Sequence, residues 1–89
     1  METSQKYTIR NMLGLHARAA AAFVKVANRY QSDIEVEKDG VSVNGKSIMG
    51  VLMLAASKGT QIDVCVRGDD AEDALEALGK LIEDKFGEE

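Results

Sequence analysis

The stretch "DIEVEKDGVSVNG", residues 33–45, predicts a β-hairpin. Ile34 and Val36 alternate with charged residues, which is the pattern of a strand with one buried and one solvated face. The Asp-Gly pair at 39–40 is favoured in two-residue hairpin turns. Alternating valines follow it before an Asn-Gly pair ends the second strand. The stretch therefore predicts two adjacent antiparallel strands.

The other elements follow from the spacing of apolar residues on either side of the hairpin. Alternation predicts two more strands, over residues 6–10 ("KYTIR") and 61–68 ("QIDVCVRG"). Helical spacing predicts three helices, from Ala17 to about Asn28, from Ser47 to about Leu54 and from Ala71 to about Lys85. Since every strand has one polar face, the helices must all cover the other face. The sequence thus predicts a two-layer α+β fold and a single domain over residues 1–89.

Composition restricts the class of protein. Hydrophobic residues make up 45% but aromatic residues only 4%, so the core must consist mainly of aliphatic side chains. The net charge of −4 argues against nucleic acid as a partner, because phosphate binding needs clustered Lys and Arg. No apolar segment has the length of a membrane span or the form of a signal peptide. We therefore expect a cytoplasmic protein without membrane contact.

Several polar residues receive no functional role at this point. The late acidic residues, among them Asp70 and Glu88, are interpreted as a solvated helix face followed by a frayed tail. The single cysteine, Cys65, excludes an internal disulfide, fits a reducing compartment and is placed on the polar sheet face. Nothing pairs the single histidine, His16, with a cysteine or carboxylate at ligand spacing, so no metal site is predicted.

His16 stands at the predicted start of the first helix. If the helix begins at Ala17, His16 is its N-cap, a position that Ser, Thr, Asp and Asn usually occupy. A helix N-terminus offers unpaired N–H groups and a partial positive charge, which favour a neutral imidazole and bind an anion. Arg18 adds a permanent positive charge, and Gly14 allows a tight turn with room for an approaching group.

These residue types suit one reaction, in which His16 attacks a phosphoryl group and carries it. The stretch provides no second general base and no glycine-rich phosphate loop. It is therefore suited to holding a phosphoryl group rather than to making or hydrolysing a phosphate ester. The same spacing is also compatible with an ordinary loop histidine beside a helix.

A resemblance over three segments decides between these interpretations. "GLHARAAAAFV" (14–24), "VNGKSIMGVLML" (43–54) and "KGTQIDVCVRGDDAEDAL" (58–75) are similar, in order and spacing, to the HPr family. Members of this family are the histidine-containing phosphocarriers of the bacterial phosphotransferase system. The resemblance extends from about Tyr7 to Ile82. It implies an open-faced β-sandwich of four antiparallel strands and three helices.

The resemblance also implies a role for the histidine. In this family it is phosphorylated on Nδ1 by Enzyme I, with phosphoenolpyruvate as the original donor, and it passes the group to an EIIA protein. By motif, His16 is the acceptor, Arg18 is its electrostatic partner, and the amides of Ala17 and Arg18 meet the phosphate. The chain would then be a stoichiometric carrier and not an enzyme. It would need no cofactor, and we expect a monomer that presents one site to successive partners.

Ser47 by itself fits a plain N-cap of the short second helix. The resemblance adds regulation, because in many HPr proteins the serine of "KSIMG" is phosphorylated by an ATP-dependent HPr kinase/phosphorylase. A phosphate at a helix N-terminus suits the helix dipole, and its charge hinders acidic partners. The resemblance further implies an apolar docking patch near His16, with Arg18 and Lys46 at its edge, formed by Ile48, Met49 and Leu52 or Met53. Alternatively, most of these apolar side chains belong to the core.

Other functional assignments stay open. One branch of the family feeds sugar-transport EIIA proteins, and another is a nitrogen-related phosphorelay that ends on regulatory EIIA proteins. "NMLGLHAR" and "LMLAASKG" favour the nitrogen branch, whereas "NGKSIMGV" favours the serine-regulated sugar type. A purely regulatory binding module controlled at Ser47 is a further alternative, against which His16 and Arg18 both count. An unrelated α+β ligand-binding domain would explain neither the His16 motif nor the Ser47 motif. Among these alternatives, the general HPr carrier of the sugar branch is preferred.

Ala19 departs from the usual H-x-R-P continuation of the family motif, and the chain contains no proline. Proline in the first turn of a helix loses no hydrogen bond and helps to fix where the helix starts. We predict that Ala19→Pro folds and still accepts phosphate from Enzyme I and labelled phosphoenolpyruvate. A folded variant that took no label would contradict a helix start at Ala17.

Overall fold

Four strands and three helices follow one another in the order that the sequence predicts. The strands are β1 (Glu2–Thr8), β2 (Asp33–Lys38), β3 (Val41–Asn44) and β4 (Gln61–Arg67), and the helices are α1 (Ala17–Ala27), α2 (Ile48–Met53) and α3 (Ala71–Glu83). The computed structural model describes residues 1–88. Within that range no helix has both the length and the apolar character needed to cross a membrane.

The strands form one antiparallel sheet in the order β1–β4–β2–β3, and the predicted fold class is confirmed. The register places inward residues opposite one another, so that Val36 of β2 lies between Val43 of β3 and Val64 of β4. Tyr7 of β1 pairs with Ile62 of β4. Together with the apolar faces of α1 and α3, these side chains form the mainly aliphatic core that the composition requires.

The first strand is present as predicted, but its predicted bounds are wrong. β1 runs over Glu2–Thr8 and not over residues 6–10. In the first half of β1, the residues on the same face as Tyr7 are Thr3 and Gln5. Because both side chains are polar, this half of the strand lacks the alternation of apolar and polar residues that predicts a strand. β1 pairs with β4 along its whole length, and these backbone hydrogen bonds, not its side-chain pattern, make it a strand.

The last helix, α3, ends at Glu83 and not at about Lys85, because the backbone adopts left-handed conformations from Lys85 to Gly87. Lys85, Phe86 and Gly87 form a short turn with φ values of 58°, 56° and 78°. An L-residue with a side chain costs about 1–2 kcal/mol in this left-handed region. Burial of the Phe86 ring offsets that cost, since burying such a side chain stabilises by about 1.5–3 kcal/mol. The turn directs Glu88 back towards the start of α1.

The acidic residues after β4 are not all solvated, and this part of the prediction is wrong. The Asp70 carboxylate accepts hydrogen bonds from the backbone N–H groups of Gln31 (2.9 Å) and Ser32 (3.0 Å) and from the Ser32 hydroxyl. The Ser32 hydroxyl and the Gln31 N–H hold the pKa of Asp70 below its usual value. Asp70 thereby ties the loop after α1 to the start of α3.

Gly79 marks a close approach of α3 to the sheet. A Cβ at this position would lie 2.7 Å from Cζ of the buried Tyr7 ring. At an exposed helical site, Gly→Ala raises the free energy of unfolding by up to about 1 kcal/mol. Here we predict that Gly79→Ala instead lowers the free energy of unfolding by about 2 kcal/mol, because the ring must move. Chemical denaturation measures the difference.

The control is the same substitution in a Tyr7→Leu background, which removes the ring. In the Tyr7→Leu background, Gly79→Ala should lower the free energy of unfolding by clearly less, because the two residues are in contact and their effects are not additive. An equal cost in both backgrounds would contradict this packing explanation.

Candidate functional site

His16 is the N-cap of α1, as predicted. Its backbone is extended (φ −76°, ψ −178°), and its carbonyl accepts a hydrogen bond from the Ala20 N–H at 2.8 Å. The imidazole Nδ1 accepts a hydrogen bond from the Arg18 N–H at 3.4 Å, so the ring takes the capping role of a serine or aspartate oxygen. Ala17 and Arg18 are both exposed, which leaves the N-terminal turn of α1 open beside the ring.

The other ring nitrogen of His16 contacts a carboxylate that the sequence analysis missed. Nε2 lies 2.7 Å from Oε2 of Glu88, and the two side chains are 28% and 17% exposed. The second carboxylate oxygen accepts a hydrogen bond from Asn11 Nδ2 at 3.0 Å. Asn11, and after it His16 and Arg18, lower the pKa of the Glu88 carboxyl. The interpretation of Glu88 as a frayed tail is therefore wrong, and a carboxylate lies beside His16 that the sequence did not place there.

The two contacts assign the tautomer of the neutral ring. An ionised carboxylate only accepts hydrogen bonds, so Nε2 must carry the proton and donate it. Nδ1 then keeps its lone pair, which accepts from the Arg18 N–H. The nitrogen at the helix N-terminus is therefore the nucleophilic one.

A buried asparagine and a glycine hold the loop before the ring. Asn11 is fully buried, and its Nδ2 also donates to the Gly14 carbonyl at 2.8 Å. Gly14 has a φ of 68°, which confirms the predicted tight turn. A Cβ there would lie 2.5 Å from the Ala56 carbonyl oxygen and 2.9 Å from Cα of Ser57. The space beside Gly14 is thus filled by backbone, and the prediction that it admits an approaching group is wrong.

A shallow hollow of about 780 Å³ lies beside the ring. Its lining comes from the loop, the start of α1 and the C-terminal segment, namely Met12, Leu13, His16, Ala17, Arg18, Gly87 and Glu88. Met12 and Leu13 are 70% and 69% exposed, and the sequence analysis did not single them out. The sequence feature that could have identified them is a pair of large apolar residues in a loop between a strand and a helix, where apolar side chains are often exposed for binding.

Ser47 is the N-cap of α2, as predicted. Its Oγ accepts a hydrogen bond from the Gly50 N–H at 3.0 Å. The side chain of the neighbouring Lys46, which the resemblance places at the edge of the docking patch, points elsewhere. Its Nζ donates a hydrogen bond to the Tyr30 carbonyl at 2.7 Å. Lys46 is therefore a link between the start of α2 and the loop after α1.

The apolar side chains of α2 divide between surface and core. Ile48, Met49 and Met53 are exposed, whereas Leu52 packs half-buried against the core. Met53, and not Leu52, thus completes the exposed set, which we call the α2 triplet. α2 packs against α1, but the lining of the hollow beside His16 contains no residue of α2 among those the structure describes.

No metal site is evident in the described part of the chain. Within residues 1–88, histidine, cysteine, aspartate and glutamate side chains form no group of three that could hold a metal ion. Cys65 pairs with Ser4 and Glu35 on the polar sheet face, where it was predicted to lie. Burial raises the pKa of its thiol, and its Sγ lies 3.5 Å from the Glu2 carboxylate.

Comparison with known proteins gives consistent matches over nearly the whole chain. A family model described as "PTS HPr component phosphorylation site" matches residues 3–84. Phosphocarrier protein HPr of Pseudomonas aeruginosa is 52% identical over 82 residues, which cover 91% of each chain. The HPr-like protein Crh of Bacillus subtilis is 47% identical over 81 residues, 91% of this chain and 95% of Crh. The crystal structure of HPr-C-His from Thermoanaerobacter tengcongensis has 49% identity, a TM-score of 0.95 and 98% coverage of both chains.

These matches include both segments that the sequence analysis singled out, around His16 and around Ser47. Coverage is nearly complete in both directions, so the similarity is not confined to one motif. Apart from Glu2, the sheet, the three helices and the capping histidine all lie within the matched residues. The chain therefore belongs to the HPr family of the phosphotransferase system.

Proposed function

We propose that this chain is a phosphoryl carrier of the sugar phosphotransferase system. It accepts a phosphoryl group on Nδ1 of His16 from phospho-Enzyme I, with phosphoenolpyruvate as the original donor, and passes it to EIIA proteins. The observation that carries the proposal is the position of Nδ1, which caps the exposed N-terminus of α1 beside anion-binding N–H groups. Membership of the HPr family supports it.

The transfer step follows from the state of the ring. The Nδ1 lone pair of His16 forms a bond to phosphorus while the bond between phosphorus and the donor breaks, and that electron pair leaves with the donor. The proton on Nε2 stays in place. The Arg18 N–H, which makes only a long bond to Nδ1, then donates to a phosphate oxygen together with the Ala17 N–H. The Arg18 guanidinium adds charge stabilisation.

The same geometry supports a carrier and not a hydrolase. One oxygen of the Glu88 carboxylate is occupied by Nε2 of His16 and the other by Asn11. Neither oxygen is therefore placed to activate water at a phosphate on Nδ1. We infer a stoichiometric carrier, with no cofactor, over the single domain of residues 1–89.

The exposed apolar side chains are proposed to dock Enzyme I and EIIA proteins. They form two surfaces, the loop pair Met12–Leu13 beside the ring and the α2 triplet. Methionine is flexible and polarisable, which suits a surface that must fit several partners in turn. Arg18 supplies a charge at the margin of the loop pair, while Lys46 is held by Tyr30 and contributes less than the sequence predicts. Nucleic acid and membranes are not proposed as partners.

Ser47 is proposed as a second phosphorylation site, for an HPr kinase/phosphorylase. Phosphorylation of its Oγ places about two negative charges at the N-terminus of α2, directly before the α2 triplet. The helix dipole tolerates this charge, so docking weakens while α2 stays folded.

Two alternatives belong to the same family. A purely regulatory module controlled at Ser47 is favoured by the similarity to Crh, whose solution structure is described as a catabolite repression HPr. The capping geometry of His16 and the exposed Arg18 favour the carrier instead. A nitrogen-branch carrier feeding a regulatory EIIA would use the same site, and only its partners would differ.

We propose a cytoplasmic monomer as the working form, because a carrier must present one site to successive partners. Three similar structures are described as dimers, one of HPr from Thermoanaerobacter tengcongensis and two of Crh, of which one has a swapped domain. Analytical ultracentrifugation at micromolar concentration distinguishes the two states.

Replacing the acceptor tests the proposed function. We predict that His16→Ala folds but takes no label from Enzyme I and labelled phosphoenolpyruvate, whereas Ser47→Ala is labelled at the wild-type rate. Mass spectrometry at neutral pH locates the phosphate, because phosphohistidine is acid-labile. Labelling of His16→Ala would contradict the carrier function. The same assay with Enzyme I from each branch separates the sugar and nitrogen alternatives by rate.

A charge in the α2 triplet tests docking. We predict that Met49→Asp slows transfer from Enzyme I roughly tenfold, because an apolar contact is replaced by a charge. Stability should change by less than about 0.5 kcal/mol, since Met49 is 70% exposed. The matched control is Val41→Asp, at a 56% exposed valine of the hairpin. Equal transfer rates for the two variants would refute the α2 triplet as a docking surface.

A further inference from the structure

The segment after α3 places one carboxylate against the ring of His16. A left-handed turn, anchored by the buried Phe86, reverses the chain before Glu88. Both oxygens of the Glu88 carboxylate are hydrogen-bonded, one to Asn11 and the other to Nε2 of the ring. Since Asn11 is itself fully buried, the protein interior fixes the carboxylate in this position.

We propose that Glu88 is a positioning residue for phosphoryl transfer: it holds the proton on Nε2 of His16, so that Nδ1 attacks, and its charge balances the cationic ring that results. The inference rests on the proposed carrier function and adds a residue to it. Lys85 and Phe86 adopt left-handed backbone conformations in the turn before Glu88, and the hydrogen bonds of Glu88 add to the burial of Phe86 in stabilising that turn.

The transfer step leaves a positive charge on the imidazole ring of His16. When Nδ1 of His16 bonds to phosphorus, its lone pair is used and Nε2 keeps its proton, so the imidazole ring becomes a cation. A carboxylate oxygen 2.7 Å from Nε2 stabilises that cation through a charge-assisted hydrogen bond. A serine protease uses an aspartate in the same way to stabilise its imidazolium. Glu88 contacts the nitrogen that does not carry the phosphate, so it leaves Nδ1 accessible.

Two substitutions and one control test the inference. Glu88→Ala removes the carboxylate, and Glu88→Gln keeps the size but removes the charge. An amide has one oxygen for two donors, Asn11 and Nε2, so glutamine cannot replace both hydrogen bonds. The control is Glu76→Gln, which removes the same charge from the exposed face of α3, beside Thr3 and Gln5 of β1. Thermal unfolding verifies that each variant is folded.

The first readout is the rate of labelling by Enzyme I and phosphoenolpyruvate. We expect it to fall about tenfold in both Glu88 variants and to stay unchanged in Glu76→Gln. The second readout is the NMR signal of the Nε2 proton of His16, which hydrogen bonding protects from exchange with water. We expect this signal in the wild type and in Glu76→Gln, and its loss in Glu88→Ala.

The outcomes separate the inference from the function on which it rests. Wild-type labelling rates in both Glu88 variants would overturn the inference and leave the carrier function standing, since a merely structural contact would not alter the rate. Persistence of the Nε2 proton signal in Glu88→Ala would overturn it as well. A wild-type protein that took no label at all would overturn the carrier function, and the inference with it.

Discussion

Hydrogen bonds on both nitrogens of one imidazole are the interactions on which the site depends. Nδ1 of His16 accepts from the Arg18 N–H at the start of α1, and Nε2 meets the Glu88 carboxylate that follows α3. One neighbour is a donor and the other an acceptor, so the two ends of the ring are chemically distinct. The fold itself thereby selects which nitrogen is nucleophilic, and it does so with groups from opposite ends of the chain.

Backbone contacts hold both sides of the ring in place. The loop before α1 docks on the connection between α2 and β4, through Leu15 N–H to the Ala56 carbonyl and Ile9 N–H to the Thr60 carbonyl, both at 2.8 Å. On the other side, Gly79 lets α3 pack closely on Tyr7 before the left-handed turn begins. A site built from a helix start and a docked turn can stay open to solvent, as a phosphoryl carrier requires.

The sequence predicts what depends on periodicity and local capping, and misses what depends on distant contacts. Alternating apolar residues locate the hairpin and β4, and His16 and Ser47 are N-caps as expected. β1 was misplaced because its early inward residues are polar and backbone pairing with β4 defines it. Glu88 could not be identified, since the turn that brings it back to the ring, 72 positions away in sequence, begins with left-handed backbone at Lys85 and Phe86, two residues that rarely adopt it.

The mechanism depends on His16 presenting Nδ1 at the start of α1 while Glu88 holds the proton on Nε2. The most direct measurement is NMR of the ¹⁵N-labelled, phosphorylated protein, which identifies the nitrogen bonded to phosphorus. The account predicts phosphorus on Nδ1 of His16, with Nε2 still protonated. Phosphorus on Nε2, or on a different residue, would contradict it.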